Sequence, residues 1–334
     1  MFQTMILSCL SLLFLILHAD LAAKGAATGL LLWYSAVVPS LFPFMVLSSM
    51  LSASGSLSRL LFPLTSLFRF LRISTDGWYV LLTGLLCGCP MGAKTCADFL
   101  CEGRIDSEEA CFLFALCNHP SPMFLAGFVY PMFAAQLPLS YFLCSVYGTL
   151  LLLSIPAGRI YLPKKGIAAG STEKKSERTK GSSNPSASTS PELFDEAILM
   201  SAEILIKIGG YLIFYSILIL TIQSTVLLPD PIRLFLCAIL EITTGIRTVQ
   251  SRLPFPFSAI AATAVFSFGG FSALSQTHAV IKKAAGLSIR QYLLWKIAHA
   301  LFSAAAMTAL TGAFPILFRR LYSLFPALQL PLSR

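Results

Sequence analysis

Long apolar runs almost free of charge are the feature that most restricts what this chain can become. Runs at residues 26–52, 137–158, 208–228 and 292–318 reach the ~20 residues a helix needs to cross a bilayer. No water reaches backbone groups in the hydrocarbon core, so only helices or closed barrels span it. Barrel strands alternate apolar and polar residues, whereas these runs are continuous and rich in Leu, Phe and Ala. Charged residues make up only 12% of the 334 positions, against about 25% in a soluble domain that must face water everywhere. The expected fold class is an all-α polytopic membrane protein with two structurally repeated halves and broken or re-entrant helices.

The net charge is +9, and many of the basic residues lie around 159–180. In a membrane protein such basic segments are the ones retained in the cytoplasm, so nucleic-acid binding is disfavoured. Residues 163–192 are rich in Lys, Ser, Thr, Gly and Pro, too polar to pack a core, and are expected to be a disordered linker between two membrane halves. Of the nine cysteines, Cys87, Cys89, Cys96, Cys101, Cys111 and Cys117 cluster. They show neither C-x-x-C spacing nor paired His ligands, which disfavours zinc; no metal site is expected. The sequence also lacks a Walker A motif and any catalytic constellation, so an ATP-driven pump is disfavoured and no enzyme activity is expected.

The interruptions carry the functional signal. Residues 5–17 form a first apolar run without a basic segment before it, expected as a retained helix rather than a cleaved signal. Pro39 and Pro43 interrupt the run at 26–52, because proline lacks the N–H and its ring meets the preceding turn. Arg59, Arg69 and Arg72 punctuate 57–73, as in a helix lying in the interface. Residues 78–101 read as two half-helices separated by CGCPMGAK at 87–94. Asp106 with Glu109 three residues on forms a capping-box pattern for a helix at 107–117, which ends at Asn118-His119-Pro120-Ser121-Pro122. In the second half an amphipathic segment at 193–206 precedes a span at 208–228. A short polar helix is expected at 232–247, and 255–285 is broken at FSFGGFSALSQTH, 266–278.

The two halves rhyme. The break at Gly88–Gly92 lies 15 residues before the stop at Gly103 (88 to 103), and Gly269-Gly270 lies 16 before Gly286 (270 to 286). Ser288 then stands where a cap for the last helix is expected. Paired interruptions in two halves are a pointer to a transporter site, because a broken helix presents free N–H groups and a positive dipole end at membrane depth.

The candidate substrate-binding residues follow from this pairing. Gly88, Cys89, Pro90 and Gly92 form the first break, and Gly269 and Gly270 the second. Lys94 is the sharpest candidate, since a cation in apolar sequence is costly; the competing reading is an i,i+4 pair with Asp98. Glu241 is either a proton-coupling carboxylate or a structural partner of an arginine such as Arg247. Asn118, Ser121, Thr244, Ser272 and Gln276 either read polar edges of a ligand or a sodium ion, or cap helix ends. His119, His278 and His299 are weaker candidates. No cofactor is expected, and the coupling ion, sodium or proton, stays open.

The strings PSLFPFMVLSSML (39–51), GCPMGAK (88–94), NHPSPMF (118–124), LEITTG (240–245) and FGGFSALSQ (268–276) resemble the YlbJ family of sporulation integral membrane proteins. The resemblance implies two nucleoside-recognition or gate domains, distantly similar to concentrative nucleoside transporters, arranged as inverted repeats with re-entrant hairpins. It divides the chain into an N-terminal transmembrane helix (1–24), a first gate-type repeat (25–162), the basic linker (163–192), a second gate-type repeat (193–320) and a tail (321–334). It implies transport of a small anion, dipicolinate, towards the forespore; the two carboxylates of dipicolinate would suit Lys94 and a helix N-terminus. A nucleoside-type transporter and a non-transporting scaffold for spore formation are the alternatives. The expected partners are a small anionic substrate and the lipid bilayer, with a homo-oligomer left open. The expected location is the cell membrane or, in a spore former, the outer forespore membrane. Two positions depart from the family pattern: Cys89 replaces an aromatic residue and His119 a small or amide residue.

Overall fold

A computed structural model describes residues 2–53, 73–162, 190–225, 228–281, 284 and 286–312. The expected interfacial helix at 57–73, the linker and the C-terminal tail lie wholly or almost wholly outside the described residues. Among the described residues every regular element is a helix. Five stretches are long and apolar enough to cross a membrane: Ser107–Met132, Leu139–Tyr161, Pro191–Ser224, Phe257–Ile281 and Ile289–Leu310. A sixth is formed if Ser11–Leu17 and Ala19–Val37, bent by 101°, are counted as one.

The N-terminal helices are α1 (Phe2–Leu17), α2 (Ala19–Leu32) and α3 (Val38–Ala53). Pro39 and Pro43 do not break the chain as the sequence leads one to expect. A π-helical turn, Trp33–Val37, joins α2 to α3, and the Val38 N–H bonds back to the Trp33 carbonyl. This wider turn sits directly before Pro39, where a proline ring would otherwise meet the carbonyl four residues earlier.

The amphipathic segment and span expected at 193–228 are one helix, α8 (Ser190–Ser224, 35 residues). At a rise of about 1.5 Å per residue it outreaches the ~30 Å hydrocarbon core. Gly209-Gly210 does not break it, and at Gly209 the Trp33 indole occupies the space a side chain would need. A Cβ on Gly209 would lie 3.0 Å from Trp33 Nε1, and that indole N–H donates to the Leu205 carbonyl at 2.8 Å. Lower down, Gly25 and Gly29 form a G-x-x-x-G stripe on α2. A Cβ at Gly25 would fall 2.6 Å from the Ile217 Cα, and one at Gly29 2.8 Å from the Ile213 Cα. Without a hydrophobic drive between helices in lipid, such close backbone approach is what holds them together.

The remaining described elements fall into two sets along the chain. The first set is α4 (Thr75–Cys87), a break, α5 (Met91–Cys101), α6 (Ser107–Cys117), a break, helical turns over 122–132, and a span ending in α7 (Thr149–Tyr161). The second is α9 (Asp230–Leu240), a break, α10 (Ile242–Arg252), α11 (Phe257–Phe268), a break, α12 (Gly270–Ile281), and the span α13 (Ile289–Leu310). Glu241 splits the single helix expected at 232–247 into α9 and α10. Breaks are found at Gly88, Asn118–Ser121, Glu241 and Gly269.

Local expectations resolve in the same detail. Asp106 caps α6, its Oδ1 accepting from Glu109 N at 2.7 Å. The capping box is only half formed, because Glu109 accepts from Ser74 N instead and ties the start of α4 to α6. Ser288 occupies the N-cap of α13 but makes no side-chain cap bond. Cys87, Cys96 and Cys117 are buried among aliphatic and aromatic neighbours, as small apolar side chains.

Overpacking in a tight contact costs about 1–3 kcal/mol. Gly25→Ala, which drives a methyl into the α8 backbone, is therefore expected to lower the melting temperature in detergent. Gly127→Ala, which meets nothing within 4 Å, is expected to leave it near wild type.

Candidate functional site

The four breaks come together. At the first, Gly88 has φ +78°, a left-handed conformation that costs a side chain about 1–2 kcal/mol, and a Cβ there would lie 2.9 Å from Ser121 N. The freed Cys89 N–H donates to the His119 carbonyl at 2.9 Å, so the first and second breaks satisfy each other. Both arms of the hairpin close on the end of α6: a Cβ at Gly84 or at Gly92 would sit 2.1 Å from the Cys117 carbonyl oxygen. At the fourth break Gly269 is left-handed (φ +86°), and Gly270 lies against the third, where a Cβ would come 3.2 Å from the Glu241 Cα.

The third break is made by a carboxylate. Glu241 is buried and extended, with φ −145° and ψ 132°. Its Oε1 accepts from Thr243 N at 3.0 Å and its Oε2 from Thr244 N at 2.8 Å, with a further bond from the Thr243 hydroxyl. It makes no ion pair with Arg247 or any other base among the described residues. Its charge instead satisfies the first N–H groups and the dipole of α10, so this helix end carries its own anion.

Asn118 fastens the breaks to the spans. Its Nδ2 donates to Thr277 Oγ1 at 2.8 Å and to Tyr292 Oη at 2.9 Å. Its Oδ1 accepts from Ala93 N at 3.3 Å. The Tyr292 hydroxyl donates back to the Asn118 carbonyl at 2.8 Å, and the Thr277 hydroxyl donates to the Ala273 carbonyl at 2.8 Å. One amide thus joins α5, α12 and α13 with no donor or acceptor left over.

A small, mostly apolar cavity lies between the breaks. Gly88, Cys89, Ser121, Glu241, Gly269, Ser272 and Gln276 all line it. Gln276 Nε2 donates to Ser272 Oγ at 3.3 Å. The other residues expected at the site lie around it. Pro90 caps α5, Gly92 and Gly270 serve close packing, and the Thr244 hydroxyl is buried with no hydrogen bond. Lys94 stands apart from this cavity. Its side chain is 38% exposed and pairs with Asp98 at 2.6 Å, and it borders two outer clefts beside Met200.

The buried basic side chain beside the fourth break is Lys296, which the sequence reading passed over. It is 2% exposed, and its Nζ lies 3.6 Å from where a Cβ on Gly269 would be. It forms no ion pair among the described residues. Its polar neighbour is His119 Nδ1 at 3.0 Å. His119 Nε2 faces the Ala115 carbonyl at 3.4 Å, which can only accept, so Nε2 holds the proton and Nδ1 is the acceptor. The His299 ring stands edge-on to His119 at 4.6 Å between centroids. Its Nε2 donates to the Val146 carbonyl at 2.8 Å, and its Nδ1 has no hydrogen bond. That carbonyl belongs to a π-helical turn, Cys144–Gly148. A signal was present in the sequence: Lys296 and His299, three apart and so on one helix face, are ionisable residues inside an apolar span, which marks a functional position by default. His278, by contrast, is exposed.

These features define a multi-pass α-helical membrane protein in which broken helices meet around a buried polar centre. The chain is 26% identical over 305 residues to the sporulation integral membrane protein YlbJ of Bacillus subtilis (strain 168), covering 80% of this chain and 72% of that protein. The chain is thus similar to that sporulation integral membrane protein over most of the length of both. No family model matches the sequence, and no solved structure matches the fold.

Leaving one buried donor unsatisfied costs about 1–3 kcal/mol. Asn118→Ala strands the Ala93 N–H and removes the ties to Thr277 and Tyr292. It is expected to destabilise the protein more than Tyr292→Phe, which removes only the hydroxyl, as measured by thermal melting followed on size-exclusion chromatography.

Proposed function

We propose that the protein is a secondary transporter or permease for a small anionic metabolite, and that dipicolinate, moved towards the forespore through a sporulation membrane, is its substrate. The observation that carries this reading is a fully buried lysine with no carboxylate partner among the described residues, beside four converging helix breaks. An ionisable side chain at membrane depth is costly and is retained where it serves a pathway. A carboxylate arriving at Lys296 would supply a counter-charge to its protonated form. The α10 N-terminus already holds Glu241, so a second substrate carboxylate would meet the Ser121, Ser272 and Gln276 side of the cavity. Dipicolinate, a rigid planar diacid, presents two carboxylates on an apolar ring, which suits a mostly apolar cavity with Lys296 behind its Gly269 wall. The relative's designation as a sporulation integral membrane protein supports the sporulation setting. The reading involves gradient-driven or passive movement and no catalysis.

Uptake of radiolabelled dipicolinate into proteoliposomes tests it. Lys296→Met is expected to reduce initial uptake at least ~10-fold, the loss that about 1.4 kcal/mol of binding would produce. Lys94→Ala, whose partner is Asp98, is expected to retain most of it. No uptake by the wild type, or equal uptake by Lys296→Met, would refute the proposal.

A further inference from the structure

We infer that the His119–Lys296–His299 cluster carries the coupling proton of this transport, so that the anion and one proton cross together; this rests on the anion-transport reading above. Three basic side chains share one buried compartment. Lys296 Nζ and His119 Nδ1 are 3.0 Å apart, the distance of a hydrogen bond along which a proton transfers. His299 follows at 4.6 Å from the His119 ring, with Nδ1 unpaired as a second resting place.

Among the described residues no carboxylate near the cluster supplies a counter-charge. The Cys89 thiol faces Lys296 from the first break, and Tyr292 shares its helix, with the ring 5.9 Å from Nζ. The Tyr292 hydroxyl is committed to Asn118. Helix α11 brings no titratable side chain, α12 brings only the exposed His278, and the Tyr147 hydroxyl from the Cys144–Gly148 turn is bound to the Pro120 carbonyl. Glu109 on α6 is bound to Ser74 N, and Glu241, across the cavity, is bound to the α10 N-terminus.

Charge balance then links the two ligands. A carboxylate entering this compartment is compensated only if the cluster holds a proton, and a proton there is compensated only if an anion is present. Each therefore raises the affinity for the other by the same factor. With the anion bound, the proton sits on Lys296 Nζ. When the anion leaves, it moves to His119 Nδ1, whose Nε2 proton stays directed at the Ala115 carbonyl, and from there to water. The compartment returns empty and neutral.

Calorimetric titration of the purified wild type with dipicolinate, at a pH where it is a dianion and in two buffers of different ionisation enthalpy, counts the protons taken up. About one per anion is expected from linkage. Lys296→Arg, whose guanidinium is always charged, is expected to bind with no proton uptake. In proteoliposomes, acid outside should accelerate uptake several-fold, a protonophore should abolish that gain, and replacing sodium by choline should change nothing. Binding without proton uptake, or uptake that follows sodium, overturns the coupling and leaves anion transport standing. No dipicolinate binding by the wild type at any pH overturns both.

Discussion

A helix broken inside an apolar medium frees N–H and C=O groups that have no water to bond. In this protein one buried amide, Asn118, and the backbone of the neighbouring breaks take up that demand. Asn118 accepts from the start of α5 and donates to α12 and α13, while the Cys89 N–H is satisfied by the His119 carbonyl. The breaks are thus mutually dependent. Each is tolerable because the others stand where they do, and the cavity between them is the space left once those bonds are made.

Close approach is the second half of the same arrangement. Gly84 and Gly92 admit the Cys117 carbonyl, and Gly270 admits the backbone at Glu241. The α2 stripe of Gly25 and Gly29 seats α8 in a similar way. Dispersion at short range, rather than burial from water, holds helices together in lipid, so small residues gather wherever two backbones carry a shared load. The π-helical turns at Trp33–Val37 and Cys144–Gly148 adjust the remaining mismatches. The first absorbs Pro39, and the second brings the Val146 carbonyl to His299.

The electrostatics differ between the two buried ionisable groups. Glu241 lines the cavity and is satisfied by the α10 N-terminus. Lys296 is buried behind Gly269, next to His119, and has no counter-ion among the described residues. That asymmetry, a satisfied carboxylate and a buried amine without a partner carboxylate, is the physical ground on which an anionic ligand and its proton are assigned to the same place.

Much of this was legible in the sequence. Apolar runs and sparse charge determine a multi-pass helical membrane protein, because nothing else satisfies a backbone in hydrocarbon. Gly88, Asn118 and Gly269 are marked as interruptions by residue type alone, whereas Glu241 is expected inside a single helix. The tertiary structure decided how the interruptions meet, since that depends on the packing of helices far apart in the chain. It also decided between two lysines. Lys94 stands beside the most conspicuous motif but finds Asp98 one turn on, a pairing that local spacing allowed without requiring. Lys296 lies in an unremarked apolar span, and its importance comes from His119, 177 positions away in the chain. Spacing along one helix fixes which side chains share a face; only the packing of separate helices fixes which buried charge is left without a partner.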